Sequence, residues 1–376
     1  MISTYAKQNR ENVLNVIREM CHIPAPSFGE RKRAEYCKAL LESFGAEGVY
    51  IDEVNNCIYP MNCEGSSELT VIAAHLDTVF PDTESYPEYH EDDEKIYCPG
   101  VGDDTASVAI MLYGIKYMLE NGIVPPHGFL FVCNACEEGL GNLVGIRQVM
   151  KDFQGRVKSF ITLDEDIGYC VNDAVGSHRY NVVAETEGGH SFSAFGNKNA
   201  IAALAEIITE IYKIEVPQKT GATTTYNVGT ITGGTSVNTI AQSAEMLCEY
   251  RSDDRECLAK MQTKFEEIFN KAQSDKVKLS VTLVGDRPCK GEVDKAEEER
   301  LIEAYRKAVS EVMGQQIVLC SASTDANVPM SLGVAAVDMG VFRNGGTHTR
   351  EEWLEKNCVV DGLDIFIRVI YSLIEK

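Results

Sequence analysis

Positive charge is scarce in this chain. Its 376 residues carry 35 Lys and Arg against 57 Asp and Glu, a formal net charge of −22. Basic clusters able to neutralise phosphates are missing, which argues against nucleic acid as a partner and against docking on an anionic membrane surface. Apolar stretches of membrane-spanning length are missing too, because charge interrupts each of the longer ones. The first helix carries Lys7, Arg10 and Glu11, so no secretory leader is expected there. Internal repeats, low-complexity segments and long linkers are also absent. Cysteine is not: thirteen of them, an odd number spread through core and loops, read as reduced thiols in a cytoplasm.

With 44% hydrophobic and 24% charged residues, the chain has the composition of an ordinary globular protein with a sizeable core. Its length suits about two or three domains. Cys133-Asn134-Ala135-Cys136 has redox or zinc spacing, but it sits late in an apolar strand and no second pair follows. Two packed core thiols are the simpler reading. Gly100-Val101-Gly102 lacks a third glycine at dinucleotide-binding spacing, and the acids after it would repel a pyrophosphate. The acidic run 91–94 reads as a solvated turn. His22, His90, His127 and His178 have no motif around them.

Residues 12–41 form two amphipathic helices broken by Pro24-Ala25-Pro26. Brief apolar runs at 69–74, 129–132, 160–163 and 334–337 then alternate with helical patterns, as buried central strands of a mostly parallel sheet do. Residues 106–119 are apolar on nearly every side and predict a buried helix. From 179 to 285 the rhythm changes to strand, helix, strand, strand, helix, strand, the ferredoxin-like βαββαβ order. Leu258, Met261, Phe265, Ile268 and Phe269 give its second helix a 3.6-residue stripe. The expected architecture is α/β: a discontinuous domain, 1–178 with 287–376, interrupted by a compact insert, 179–286.

In open α/β sheets ligands bind beyond the carboxyl ends of the strands. His75 and Asp77 end the first central strand, Glu137-Glu138 the next and Asp164 a third. His348 follows a fourth, and Asp103 precedes the buried helix in a glycine-rich turn that lets backbone approach a cation. Alone, His75 would be a histidine hydrogen-bonded at a strand end, Glu137-Glu138 a charged loop, and Asp103-Asp104 a pair favouring a helix dipole. Together, five segments bring donors to one sheet edge. That is the demand of a two-metal hydrolytic site. Three carboxylates and one bridging hydroxide would neutralise two divalent ions. His75 and Asp77, two apart, share a strand face, so the carboxylate can accept the other ring N–H of a ligating imidazole. Adjacent Glu137 and Glu138 point apart, which suits one as general base and one as ligand. One of Asp103 and Asp104 is expected to serve the helix start.

In this order, the segments resemble the dinuclear zinc peptidase and deacylase family, which includes tripeptide aminopeptidase (peptidase T), carboxypeptidase G, aminoacylase and succinyl-diaminopimelate desuccinylase. The resemblance spans nearly the whole chain. It implies two zinc ions, with cobalt or manganese as alternatives. His75 in His-Leu-Asp-Thr-Val would ligate one ion, oriented by Asp77, and Asp103 in Gly-Asp-Asp would bridge both. Glu137 would be the general base and Glu138 a ligand. Asp164 would ligate one ion, with Asp166 close by as the alternative, and His348 in Gly-Gly-Thr-His-Thr the other.

The insert resembles the family's lid, which usually also forms a homodimer interface. His190 in Gly-Gly-His-Ser matches a lid histidine that helps hold the reacting carbonyl oxygen in the neighbouring subunit's site. Asn238 and Arg251 match substrate-contacting positions; outside the resemblance they would be a turn residue and a surface strand residue. The family commonly has a proline just beyond the asparagine, where this chain has Ile240-Ala241. That departure bears on loop shape and leaves the chemistry untouched. The implied activity is hydrolysis of an amide bond by a metal-activated water. Ser323-Thr324-Asp325-Ala326-Asn327 and the His348 segment look nearer the peptidase T-like branch, so an aminopeptidase on short peptides is expected. An N-acyl amino-acid deacylase or a carboxypeptidase is the alternative, and a non-catalytic metal- or peptide-binding module a remote one.

Overall fold

The structure, a computed structural model, describes residues 1–80 and 89–375. The chain forms two compact units, Met1–Ala174 with Gly291–Lys376, and Val175–Lys290. The expected insert limits, 179 and 286, fall inside the second unit because its first and last strands, Gly176–Glu185 and Lys278–Arg287, are longer than their apolar parts.

The first unit is built on an eight-stranded sheet. Its order is Tyr50–Ile51, Cys57–Met61, Gly128–Asn134, Leu69–His75, Val157–Asp166, Ala335–Phe342, Tyr169–Ala174, Val318–Ala322. The four central strands are mutually parallel, and the strand on each side of them runs antiparallel to the central strand it pairs with. Leu69–His75, Gly128–Asn134 and Ala335–Phe342 are buried at every position, as strands covered on both faces must be.

Alternation divides these strands between two cores. Ile72, Ala74, Phe129, Phe131, Ile161 and Val337 pack with the long helices Ile2–Cys21, Ser107–Glu120, Lys295–Met313 and Cys358–Ile374. Val71, Ala73, Leu130, Val132, Phe160 and Ala336 face the opposite way, onto Val144–Asp152 and the short helix Asn327–Ser331. The Val157–Asp166 strand continues past its apolar centre because Glu165 and Asp166 pair with Gly340 and Phe342. A small second sheet, Asn344–Gly345, Trp353–Glu355, Lys95–Tyr97 and His90–Glu91, carries the His348 loop.

The second unit has the βαββαβ order. Its antiparallel sheet runs Thr224–Gly233, Ser243–Ser252, Gly176–Glu185, Lys278–Arg287. Helices Ala200–Ile211 and Arg255–Ala272 bury Leu204, Ile207, Met261, Phe265 and Phe269 against Tyr180, Val182, Met246 and Tyr250. Asn199 and Asp254 cap the helices by accepting from Ile201 and Cys257 N–H groups. Among the described residues no helix is long and apolar enough to cross a membrane, and all thirteen cysteines are free. Cys133 and Cys136 are buried core thiols.

Candidate metal centre

His75 is the last residue of its strand and is 1% exposed. Its Nε2 lies 2.8 Å from Asp103 Oδ1 and 3.6 Å from Asp164 Oδ1. On the far side of the Asp103 carboxylate, Oδ2 is 3.1 Å from His348 Nε2. The same ring nitrogen is 3.1 Å from Glu138 Oε1. One carboxylate thus lies between two imidazoles, each with a second carboxylate beside it. His75, Asp103 and Glu138 offer donor atoms within 4.8 Å of one another, as do His75, Asp104 and Asp164. Asp166 is in neither group; its Oδ1 accepts the Asn344 N–H at 3.1 Å.

Local sequence explains each placement. Leu69–His75 and Val157–Asp166 deliver His75 and Asp164 near their carboxyl ends. Asp103 leaves the turn that follows Pro99. There Gly100 has φ +71°, and a Cβ on it would meet Thr78 Cγ2 at 2.4 Å. A Cβ on Gly102 would meet Asn344 Nδ2 at 2.3 Å. These glycines let the turn's N–H groups reach the Glu352 carboxylate. His348 sits in the left-handed region at φ +64°.

Two expectations are modified. The Asp77 carboxylate was expected to orient His75. The nearest partner of His75 Nδ1 is the Asp77 carbonyl, at 3.1 Å, with the carboxylate Oδ1 at 3.6 Å. That carboxylate accepts the N–H groups of Glu137 at 2.9 Å and Glu138 at 3.0 Å, and the Ser27 hydroxyl at 2.7 Å. It therefore sets the backbone of both glutamates. Asp104 caps no helix; its Oδ2 accepts the His75 N–H at 2.8 Å.

The electrostatics follow from crowding. Burial and the Asp103 charge raise Glu138 to about 7 and push Asp164 well up. Burial disfavours a charged His75, but Asp164, Asp103 and Asp77 outweigh it and hold its pKa well above the ordinary value. Hydrogen bonds to Asp103 and Glu138 raise His348 to about 10. For Asp103 burial is outweighed by the two imidazoles, and its pKa falls below the usual carboxylate range. The donor set fits divalent cations: carboxylate oxygens and ring nitrogens converge where protons otherwise reconcile like charges.

A family model described as peptidase family M20/M25/M40 matches residues 71–372. The chain belongs to the M20/M25/M40 peptidase family. As an M20 metallopeptidase it confirms the family resemblance of its motifs. The uncharacterised protein YqjE of Bacillus subtilis is 23% identical over 389 residues, covering 96% of this chain and 98% of that one. Among solved structures, aminopeptidase PepT of Bacillus cereus has a TM-score of 0.71 at 21% identity, covering 97% of this chain and 99% of the other. The M20 metallo-carboxypeptidase Sso-CP2 of Sulfolobus solfataricus gives 0.76 at 14% identity, covering 96% and 99%.

In this M20 peptidase the second unit holds the remaining expected residues. His190 pairs with Thr239 in a two-residue ribbon, where the Asn238 carbonyl accepts the Ser191 N–H at 2.9 Å. His190 and Asn238 are therefore neighbours. Arg251 lies at the far end of the Ser243–Ser252 strand, its Nε 2.8 Å from Glu249 Oε1. Sequence reasoning missed half-buried Ser27 and buried Asp338 and Glu352 as partners of site residues. Asp338 Oδ1 accepts the Asp164 N–H at 2.8 Å. A charge inside the otherwise apolar run 334–342 was the available signal.

Proposed function

We propose that this protein is a two-metal aminopeptidase acting on short peptides. The carrying observation is the Asp103 carboxylate set between His75 and His348, with Asp164 and Glu138 beside them. His75, Asp103 and Asp164 would hold one ion, and Asp103, Glu138 and His348 the other, zinc being the best match to mixed imidazole and carboxylate donors. Two such ions supply an activated water and a polarised scissile carbonyl.

The chain's own part is proton handling and orientation. Glu137, buried and with its main chain fixed by Asp77, takes the proton of the attacking water and delivers it to the leaving amine. In the homodimer inferred below, His190 donates to the carbonyl oxygen in the neighbouring subunit's site as charge develops on it. Asn238 and Arg251 hold the peptide.

The likeness to an aminopeptidase, PepT, over nearly the whole chain supports cleavage at the amino end. The likeness to a metallo-carboxypeptidase supports a second reading, cleavage at the carboxyl end, with N-acyl amino acids as related substrates. Tripeptides with either terminus blocked separate these. Loss of hydrolysis on N-acetylation, with amidation tolerated, supports the aminopeptidase; the opposite pattern overturns it.

The assembly we infer is a homodimer through the Val175–Lys290 unit. Its edge strand Thr224–Gly233 is largely exposed, Ile231 included. The free, mostly buried cysteines suit a cytoplasmic setting.

A further inference from the structure

A buried carboxylate lies directly behind the Asp103 turn. Glu352 is 1% exposed. Its Oε2 accepts the Gly100 N–H at 2.7 Å, and its Oε1 accepts those of Gly102 at 2.9 Å and Asp103 at 3.0 Å. Asn344 Nδ2 adds a longer contact at 3.4 Å. Its two oxygens together accept all three backbone donors, and hydrogen bonds to a carboxylate are among the strong ones. A side chain with a single acceptor oxygen, such as glutamine, leaves one buried N–H without an acceptor.

The main chain of Glu352 is fixed as well. Its carbonyl accepts the Cys98 N–H at 3.0 Å, and the next residue opens the Trp353–Glu355 strand, paired with Lys95–Tyr97. Backwards along the chain, the Glu352 N–H reaches the Thr349 carbonyl at 3.4 Å and the Thr349 N–H reaches Gly346 at 2.9 Å, closing the turns that carry His348. One residue therefore ties the Asp103 turn, through its side chain, to the His348 loop, through its backbone. His75 and Asp164 are instead placed by sheet strands, with the Asp104 and Asp338 carboxylates accepting their N–H groups.

We propose that Glu352 is a positioning residue for the ion site made by Asp103, Glu138 and His348: it sets the Asp103 carboxylate against His348 and touches no substrate. The inference rests on the two-metal reading above.

The test is a titration of metal-free wild type and Glu352→Gln with Co²⁺, following visible absorption and bound metal by elemental analysis. Glutamine keeps the shape but turns an NH₂ toward a backbone N–H. The first equivalent is expected to bind within about threefold of wild type, and the second to weaken by about tenfold or more with an altered absorption band, the scale on which supporting partners tune metal sites. An unchanged second affinity and spectrum overturn the proposal. Glu352→Asp keeps the charge but withdraws it by one methylene. It should share the second-site loss, and wild-type behaviour would assign the effect to charge alone and overturn positioning.

Hydrogen exchange of the metal-free wild type serves if the variants do not fold. The amides of Gly100, Gly102 and Asp103 should be strongly protected; exchange at open-loop rates overturns the tie. Wild type that binds fewer than two Co²⁺ would instead sink the two-metal reading, so the two failures are distinguishable.

Discussion

Asp77 holds Glu137 by the backbone: its Oδ1 accepts the glutamate N–H at 2.9 Å, while Oδ2 takes the N–H of the next residue. The carboxylate thus acts on the proposed base and on a proposed ligand without touching either side chain. In Asp77→Asn one of the two N–H groups faces an amide NH₂ instead of an acceptor. Turnover on tripeptides should fall by about ten- to a hundredfold, a loss typical of supporting residues. Elemental analysis should still find metal bound, and an unchanged kcat would show that the backbone grip is unimportant.

Glu137→Gln removes the proton acceptor and leaves the donor atoms near His75 and His348 in place. A drop in kcat of about 10²–10⁴ is expected, the range for general acid–base catalysis. Steady-state kinetics beside metal stoichiometry decide it. Near-normal rates would remove Glu137 from the mechanism.

The choice between Asp164 and Asp166 is open to a paired experiment. Asp164 faces His75 at 3.6 Å, whereas Asp166 accepts from the Asn344 backbone. Asp164→Asn should lose one of two ions, and Asp166→Asn should keep both. Metal counting on the two variants gives the answer, and the reverse pattern would exchange their roles.

Metal affinity should depend on pH in a defined direction. In the metal-free protein His348 titrates at about 10 and Glu138 at about 7. Both sit above their ordinary values, so each stays protonated below its own pKa, and a cation must displace those protons. Affinity should therefore fall as pH falls, by at least about tenfold per unit below 10 from His348 alone and more steeply wherever Glu138, His75 or Asp164 also carries a proton. Chelator competition across pH 6–9 measures the slope. A flat profile would mean that neither group is a ligand.

Much of this was legible in the sequence, for identifiable reasons. His75, Asp103, Glu138 and His348 stood out because each follows or precedes an apolar run, and that adjacency survives folding. The βαββαβ unit was readable from its helix stripe, with Met261, Phe265 and Phe269 buried as the period demands. Less visible were the strands Tyr169–Ala174 and Val318–Ala322, which lie at the sheet's outer side and include Asn172, Asp173 and Ser321. A polar edge strand has no apolar run to announce it. Glu352 escaped for another reason: among 57 acids nothing in a sequence marks which are buried. Only the three converging N–H groups reveal it.

The donors at the metal centre span positions 75 to 348, with the Val175–Lys290 unit between them. During synthesis the amino-terminal strands emerge long before Ala335–Phe342 can pair with Val157–Asp166. Closing that separation is a slow, non-local step, and the intervening unit can collapse on its own meanwhile. On the two-metal reading proposed above, the nascent chain would gain its full ion-binding capacity only when the carboxyl-terminal segment docks, and an incomplete chain would be an inactive one.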